Sequence, residues 1–132
     1  MLEGKEVMAC AQTGSGKTGA FLLPIINRLM KSYKANNAKI GEPDYEGKWE
    51  AKPRVLILSP TRELAIQIAK EANLYAAKID NIQVAAVYGG TQLNIQRKEA
   101  AKANIICATI GRFTVCNTSC IEVQSVPADF HI

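Results

Sequence analysis

Residues that would signal a metal centre or a membrane protein are scarce in this chain. Its 132 residues hold one histidine, His131, and four cysteines, Cys10, Cys107, Cys116 and Cys120. Cys116-x-x-x-Cys120 with His131 matches no common zinc spacing and lacks a fourth ligand, so no metal-binding cysteine site is expected and His131 is read as terminal surface. No apolar run approaches the roughly 18 residues a membrane span needs. Residues 1–7 carry Glu3, Lys5 and Glu6 and contain no apolar core of a secretory signal. No membrane partner is expected, and the chain is read as intracellular with reduced thiols. Charge of one sign is also modest. A net charge of +4 leans only weakly towards a polyanionic partner. The length leaves room for one domain and not two, and 48% hydrophobic with 21% charged residues is the composition of an ordinary chain with a real core.

Against these absences stands Ala11-Gln12-Thr13-Gly14-Ser15-Gly16-Lys17-Thr18, which fits the phosphate-cradling loop pattern with Ala for Gly at the first position. The apolar run Val7-Met8-Ala9-Cys10 before it predicts a strand, and a helical apolar pattern starting at Phe21 follows it. Gly14 and Gly16 allow the backbone to wrap tightly, with N–H groups converging where the next helix directs its positive end. Such a nest suits an anion. Lys17 can reach outer phosphates as a point charge, and the Thr18 hydroxyl can join the shell of a bridging Mg²⁺ ion. The motif alone does not choose among kinases, GTPases, transporters and helicases.

Phe21, Leu22, Ile25, Ile26 and Leu29 predict a helix from about residue 16 to 31, kinked by Pro24. Residues 34–53 are polar, hold Gly41, Pro43 and Gly47, and read as a long surface loop in which Trp49 is a packing anchor. The continuous apolar run Val55-Leu56-Ile57-Leu58 predicts a strand buried on both faces. Leu64, Ile68, Ala72, Tyr75 and Ile79 predict the inner stripe of a helix capped by Thr61. A strand over 84–88, a polar helix over 92–103 and a strand over 105–108 complete the pattern. Strand alternates with helix, which implies βαβ crossovers and an α/β domain with a mainly parallel sheet and flanking helices. Ligands belong at the carboxyl ends of its strands.

Three of those strand ends carry related chemistry: Pro60-Thr61-Arg62 after the Val55 strand, Gly89-Gly90 after the Val84 strand, and Thr109-Ile110-Gly111-Arg112 after the Ile105 strand. Singly, each reads as a capped helix start, a turn, or a loop with one solvated Arg. Together along one rim they offer hydroxyls, backbone N–H groups and guanidinium groups, which hold a phosphodiester backbone without reading bases.

In order and spacing, from about residue 4 to 113, these motifs resemble the first RecA-like domain of the DEAD-box RNA helicases. Residues 11–18 resemble that family's nucleotide motif, Pro60-Thr61-Arg62-Glu63-Leu64-Ala65 its first RNA motif, and Gly89-Gly90 its glycine doublet. Thr109-Ile110-Gly111-Arg112 stands where the family usually has Thr-Pro-Gly-Arg. Residues 8–13 and the long loop before Val55 look most like the Vasa-related subfamily. The resemblance implies a P-loop NTPase of RecA-like fold that binds ATP with Mg²⁺ through residues 11–18. It also implies that Pro60, Thr61, Arg62, Gly89, Gly90, Thr109, Gly111 and Arg112 grip one RNA strand by its backbone. It points to the cytoplasm or a ribonucleoprotein granule rather than the nucleus.

Several of the family's parts do not occur in these 132 residues. There is no upstream glutamine motif for adenine, no Asp-Glu-Ala-Asp, no Ser-Ala-Thr and no second domain. The reading therefore divides the chain into an incomplete RecA-like domain, 1–113, and a divergent tail, 114–132. Three functions compete: part of an ATP-dependent RNA helicase, a non-catalytic nucleotide- or RNA-binding module, and a P-loop enzyme of another kind, which the rim motifs disfavour. A chain of these residues alone is expected to lack enzymatic turnover.

Overall fold

The computed structural model describes residues 6–12, 14–36, 53–79 and 82–120. Of these, residues up to 38 belong to one compact unit and residues from 39 onward to another, and each unit is treated by itself.

In the first unit, helix α1 spans Lys17–Asn36, and its apolar residues Leu22, Ile25, Ile26 and Leu29 are buried at the spacing the sequence predicts. The helix runs five residues past the expected end at 31 and takes the start of the expected 34–53 loop with it. Pro24 lies inside it and forfeits the bond to the Ala20 carbonyl, yet helical structure continues on both sides. Most of that loop, including Trp49, lies outside the described residues. The expected strand over residues 7–10 is a correction. These residues have no strand structure, and Val7 and Met8 are exposed. A strand is stable only when a neighbour takes up its N–H and C=O groups, and no ladder partner for this run exists among the described residues.

The second unit is built on three strands, β1 (Val55–Ser59), β2 (Val84–Val87) and β3 (Ile105–Thr109), in the order β1-β3-β2. Both pairings are parallel, with Val55 and Val84 each opposite Ile105. Helix α2 (Arg62–Ala76) carries the chain from β1 across to β2, and α3 (Leu93–Ala100) brings it back to β3. The two crossovers run in opposite directions, so the right-handed rule places their helices on opposite faces of the sheet. Helix α4 (Ile110–Cys120) then packs against β3 and α3. The α/β architecture with a parallel sheet and flanking helices is thus as the sequence predicts.

Ala85, Val87, Ile106 and Ala108 of the sheet meet Ala100, Ala103 and Cys116 in one buried cluster, with Leu93 and Phe113 against its side. On the opposite face the buried stripe of α2 is Ala65, Ile68, Ala69, Ala72 and Ala76. The expected stripe shares only Ile68 and Ala72 with it. Leu64 and Tyr75 are partly exposed, at 37% and 38%, because the helix turns its alanines inward and small side chains let it lie close to the strands. Burial of β1 on both faces is also corrected. Leu56 and Leu58 stand 39% and 51% exposed. They share a face with Ile106 and Ala108 by register, and α3 and α4 cover that face over β2 and β3.

At the amino edge of the sheet, one buried residue ties all three strands, through its backbone to β1 and through backbone and side chain to β2. Asn104 Oδ1 accepts from the Gln83 N–H (2.8 Å) and its own N–H donates to the Gln83 carbonyl (2.8 Å). Its carbonyl accepts from Arg54 and Val55 (2.9 and 3.0 Å). The strand register is therefore fixed by a satisfied polar group rather than by apolar packing alone. Cys107, fully buried in β3, has its thiol pushed up to about 12 by desolvation, which makes it an inert core residue. Among the described residues no helix is long and apolar enough to cross a membrane.

Asn104→Ala leaves the Gln83 N–H without its buried acceptor and should lower stability by about 1–3 kcal/mol. Urea denaturation followed by circular dichroism measures it; an unchanged midpoint would show that the register does not depend on this side chain.

Candidate functional site

The glycine-rich loop lies ahead of α1. Gly14 and Gly16 adopt φ of +80° and +82°, the left-handed region that glycine enters without steric cost. A Cβ at either would meet nothing within 4 Å, so conformation and not crowding selects glycine here. The Ser15 N–H donates to the Gln12 carbonyl (3.3 Å), and the Ala20 N–H to the Gly16 carbonyl (3.0 Å), which closes the turn and starts the helix. The Lys17 ammonium donates to the carbonyls of Ala11 and Gln12, the latter at 2.6 Å. Lys17 is exposed and Thr18 is half-buried in the first turn of α1. Thr13 lies outside the described residues. The loop therefore presents left-handed glycines, a cation at its centre and a hydroxyl at a helix start, a donor set that fits a polyphosphate with its magnesium ion.

In the second unit, parallel pairing aligns the three strand ends on one edge. Ser59 pairs with Thr109 and Val87 with Ala108, so the residues after each strand emerge together. After β1, Thr61 caps α2, its Oγ1 accepting from the Leu64 N–H (3.3 Å), and places Pro60 and Arg62 on either side of the helix start. Arg62 Nε donates to Glu63 Oε1 at 3.2 Å, with both side chains largely in solvent. The Glu63 carboxyl is held below its usual range, first by a hydrogen bond from its own backbone N–H and then by Arg62.

After β2 the chain turns through residues 88–91, where Gly90 has φ of +90°. A Cβ there would lie 3.2 Å from Arg62 Nη1, which brings the first two motifs into contact. After β3, residues 110–112 begin α4 instead of forming the expected loop. Ile110 occupies the first helical position, where Pro is also favoured, so the departure from Thr-Pro-Gly-Arg preserves the helix start. Arg112 is not a solvated side chain. It is half-buried, with Nε donating to the Tyr88 carbonyl (3.1 Å) and Nη2 to the Thr91 carbonyl (2.9 Å). Thr109 is half-buried beside it, while Gly89 and Gly111 are exposed. The three motifs thus meet at one edge. Tyr88 and Thr91 contribute through backbone oxygens, which no side-chain pattern in the sequence signals.

Gly90→Ala forces a side chain into a left-handed backbone and against Arg62, and should cost about 1–2 kcal/mol in denaturant unfolding. Gly89→Ala, at a position without positive φ or close neighbours, should change stability by less than about 0.5 kcal/mol. Equal effects of the two substitutions would refute the assigned role of the turn.

The chain matches the family model described as DEAD/DEAH box helicase over residues 1–126. It is 43% identical over 114 residues to DEAD-box ATP-dependent RNA helicase 52A of Oryza sativa subsp. japonica, a match covering 84% of this chain and 18% of that protein. It is 42% identical over 110 residues to ATP-dependent RNA helicase vasa of Drosophila melanogaster, covering 83% and 15%. Among solved structures it resembles the RNA helicase Prp28 from Chaetomium thermophilum bound to ADP, with a TM-score of 0.67 and 36% identity over 87% of this chain and 25% of that one. The chain spans less than a fifth of the length of these two curated relatives. With the parallel α/β fold, these matches assign the RecA-like helicase fold, and the chain belongs to the DEAD/DEAH box helicase family.

Proposed function

We propose that this chain is a segment of an ATP-dependent RNA helicase of the Vasa-like kind, binding ATP with Mg²⁺ through residues 11–18 and one RNA strand along its strand-end rim. The observation that carries the RNA half is the convergence of Arg62, Gly90 and Arg112 at one sheet edge, linked by the contacts of Arg112 with residues 88 and 91 and of Gly90 with Arg62. Thr61, Thr109, Pro60, Gly89 and Gly111 complete a surface of hydroxyls, backbone N–H groups and guanidinium groups. Such groups address phosphates and sugars and leave base edges unread. The relatives named above as RNA helicases support the same reading.

For the nucleotide, support comes from the left-handed glycines and from Lys17 and Thr18 at the start of α1. Lys17 would hold the outer phosphates by charge, Thr18 would contribute a hydroxyl to the metal shell, and the loop N–H groups would take the remaining phosphate oxygens. The metal ion, when bound, supplies charge neutralisation across those oxygens. In a polypeptide of these 132 residues no Asp-Glu-Ala-Asp run is present to position water or a second metal ligand, so binding without turnover is the expected behaviour.

Equilibrium binding of labelled ATP with Mg²⁺ tests the nucleotide site: Lys17→Ala should weaken retention at least about tenfold. Equal retention by both chains would remove the loop from the mechanism, and phosphate release that disappears in Lys17→Ala would overturn the expectation of binding without turnover.

RNA binding should fall steeply with salt and differ less than about threefold between unstructured oligonucleotides of different sequence. A strong preference for one sequence in an anisotropy titration would contradict a backbone grip.

A further inference from the structure

Resting on the RNA-rim reading above, the geometry points to a division of labour between the two guanidinium groups of that rim. We propose that Arg112 is a positioning residue that shapes the turn of residues 88–91, while Arg62 supplies the cation that meets the RNA phosphate.

The two arginines differ in what already holds them. Arg112 spends one edge of its guanidinium, Nε and Nη2, on two backbone carbonyls at either end of the turn, Tyr88 at 3.1 Å and Thr91 at 2.9 Å. The Tyr88 oxygen also accepts from the Thr91 hydroxyl at 3.4 Å, so the turn is closed through side chains. The Arg112 backbone is fixed in turn, because it stands in the first turn of α4, which packs on β3 and α3. Farther along, Arg97 Nη2 donates to the Val115 carbonyl (3.4 Å), which ties α3 to α4. Arg62 is placed differently. Its side chain is 55% exposed, and its bonded neighbour is the adjacent Glu63. An exposed partner of this kind exchanges for a phosphate at little cost.

The turn links the two. Gly90, at φ of +90°, leaves only 3.2 Å between the site of a Cβ and Arg62 Nη1, so Arg62 stands directly against the backbone that Arg112 holds. Fixing the turn fixes the N–H groups of Gly89 and Gly90 and the wall beside Arg62. A planar fork with two parallel donors can span both carbonyls. A lysine ammonium matches the charge but not that fork, so charge and geometry are separable at this position.

The experiment uses the whole chain and a fluorescent oligouridine, titrated by anisotropy at several KCl concentrations. Arg62→Ala should weaken binding and reduce the slope of log K against log salt by about 0.7, the loss of one phosphate contact on a single strand. Arg112→Lys should bind as weakly as Arg112→Ala, each about tenfold below wild type, with the wild-type slope in both. Near-normal binding by Arg112→Lys, or a slope reduced in Arg112→Ala as in Arg62→Ala, would make Arg112 a phosphate ligand and overturn the proposal. A second measurement needs no RNA: in the free chain, the heteronuclear NOE of the Gly89 and Gly90 amides should fall in both Arg112 variants and stay unchanged in Arg62→Ala. An unchanged NOE in the Arg112 variants would also overturn it. Absence of RNA binding by the wild type, with the NOE response intact, would sink the RNA reading and leave the hold on the turn standing.

Discussion

Everything at the functional edge depends on β3 lying between β1 and β2, parallel to both. Because β3 comes last in sequence, the other two strands have no direct ladder until it arrives. Asn104, immediately before it, links the starts of β1 and β2 through bonds with Arg54, Val55 and Gln83. A slip of one residue at that end would move every side chain to the other face and stagger the opposite edge. The buried asparagine makes such a slip costly, since its side-chain oxygen and its backbone groups would lose the Gln83, Arg54 and Val55 partners they have here. Register set at the amino edge is therefore what aligns Pro60, Gly89 and Ile110 at the carboxyl edge.

Alignment places two basic side chains on the same edge, and each is held differently. Arg112 is neutralised in part by carbonyl dipoles at 2.9 and 3.1 Å, and Arg62 by the Glu63 carboxylate at 3.2 Å. The first arrangement is half-buried and uses two bonds. The second is exposed and screened by solvent, so it contributes little. A polyanion approaching this edge can displace Glu63 far more easily than it can dislodge Arg112, because the latter would leave two turn carbonyls to find water.

How much of this was legible depends on which physical signal each feature leaves in sequence. The α/β alternation was legible because buried strands and amphipathic helices leave different periods, and the strand-end motifs were legible because glycine, proline and capping threonine have narrow conformational uses. The strand expected over residues 7–10 failed because an apolar run states a preference and not a partner. Leu56 and Leu58 look the same in sequence as Ile106 and Ala108, and only the placement of α3 and α4 separates the exposed pair from the buried one. The alanine face of α2 was hidden because alanine suits both the outside of a helix and close contact. Asn104 lies between a helix and a strand, where nothing in sequence signals a buried asparagine, and the carbonyls of Tyr88 and Thr91 have no side-chain signature at all.

The glycine-rich loop raises the same question of prior occupation. Lys17 is tied to the carbonyls of Ala11 and Gln12, so its charge already serves to hold the loop closed. Hydrogen bonds to a charged donor contribute about 1.5–3 kcal/mol each when sheltered, and less in a loop as exposed as this one. A polyphosphate offers the same ammonium several full negative charges, which outweigh carbonyl dipoles at equal distance. The exchange therefore favours the phosphate, reduced by what the carbonyls give up. On the proposed nucleotide reading, alanine would remove the tether and the phosphate contact together. Lys17→Arg separates them: it keeps the charge, but its larger planar head cannot occupy the same point between Ala11 and Gln12. If the loop's shape depends on that tether, the arginine variant should lose nucleotide affinity almost as fully as alanine, and near-normal affinity would show that the loop is held by its left-handed glycines alone.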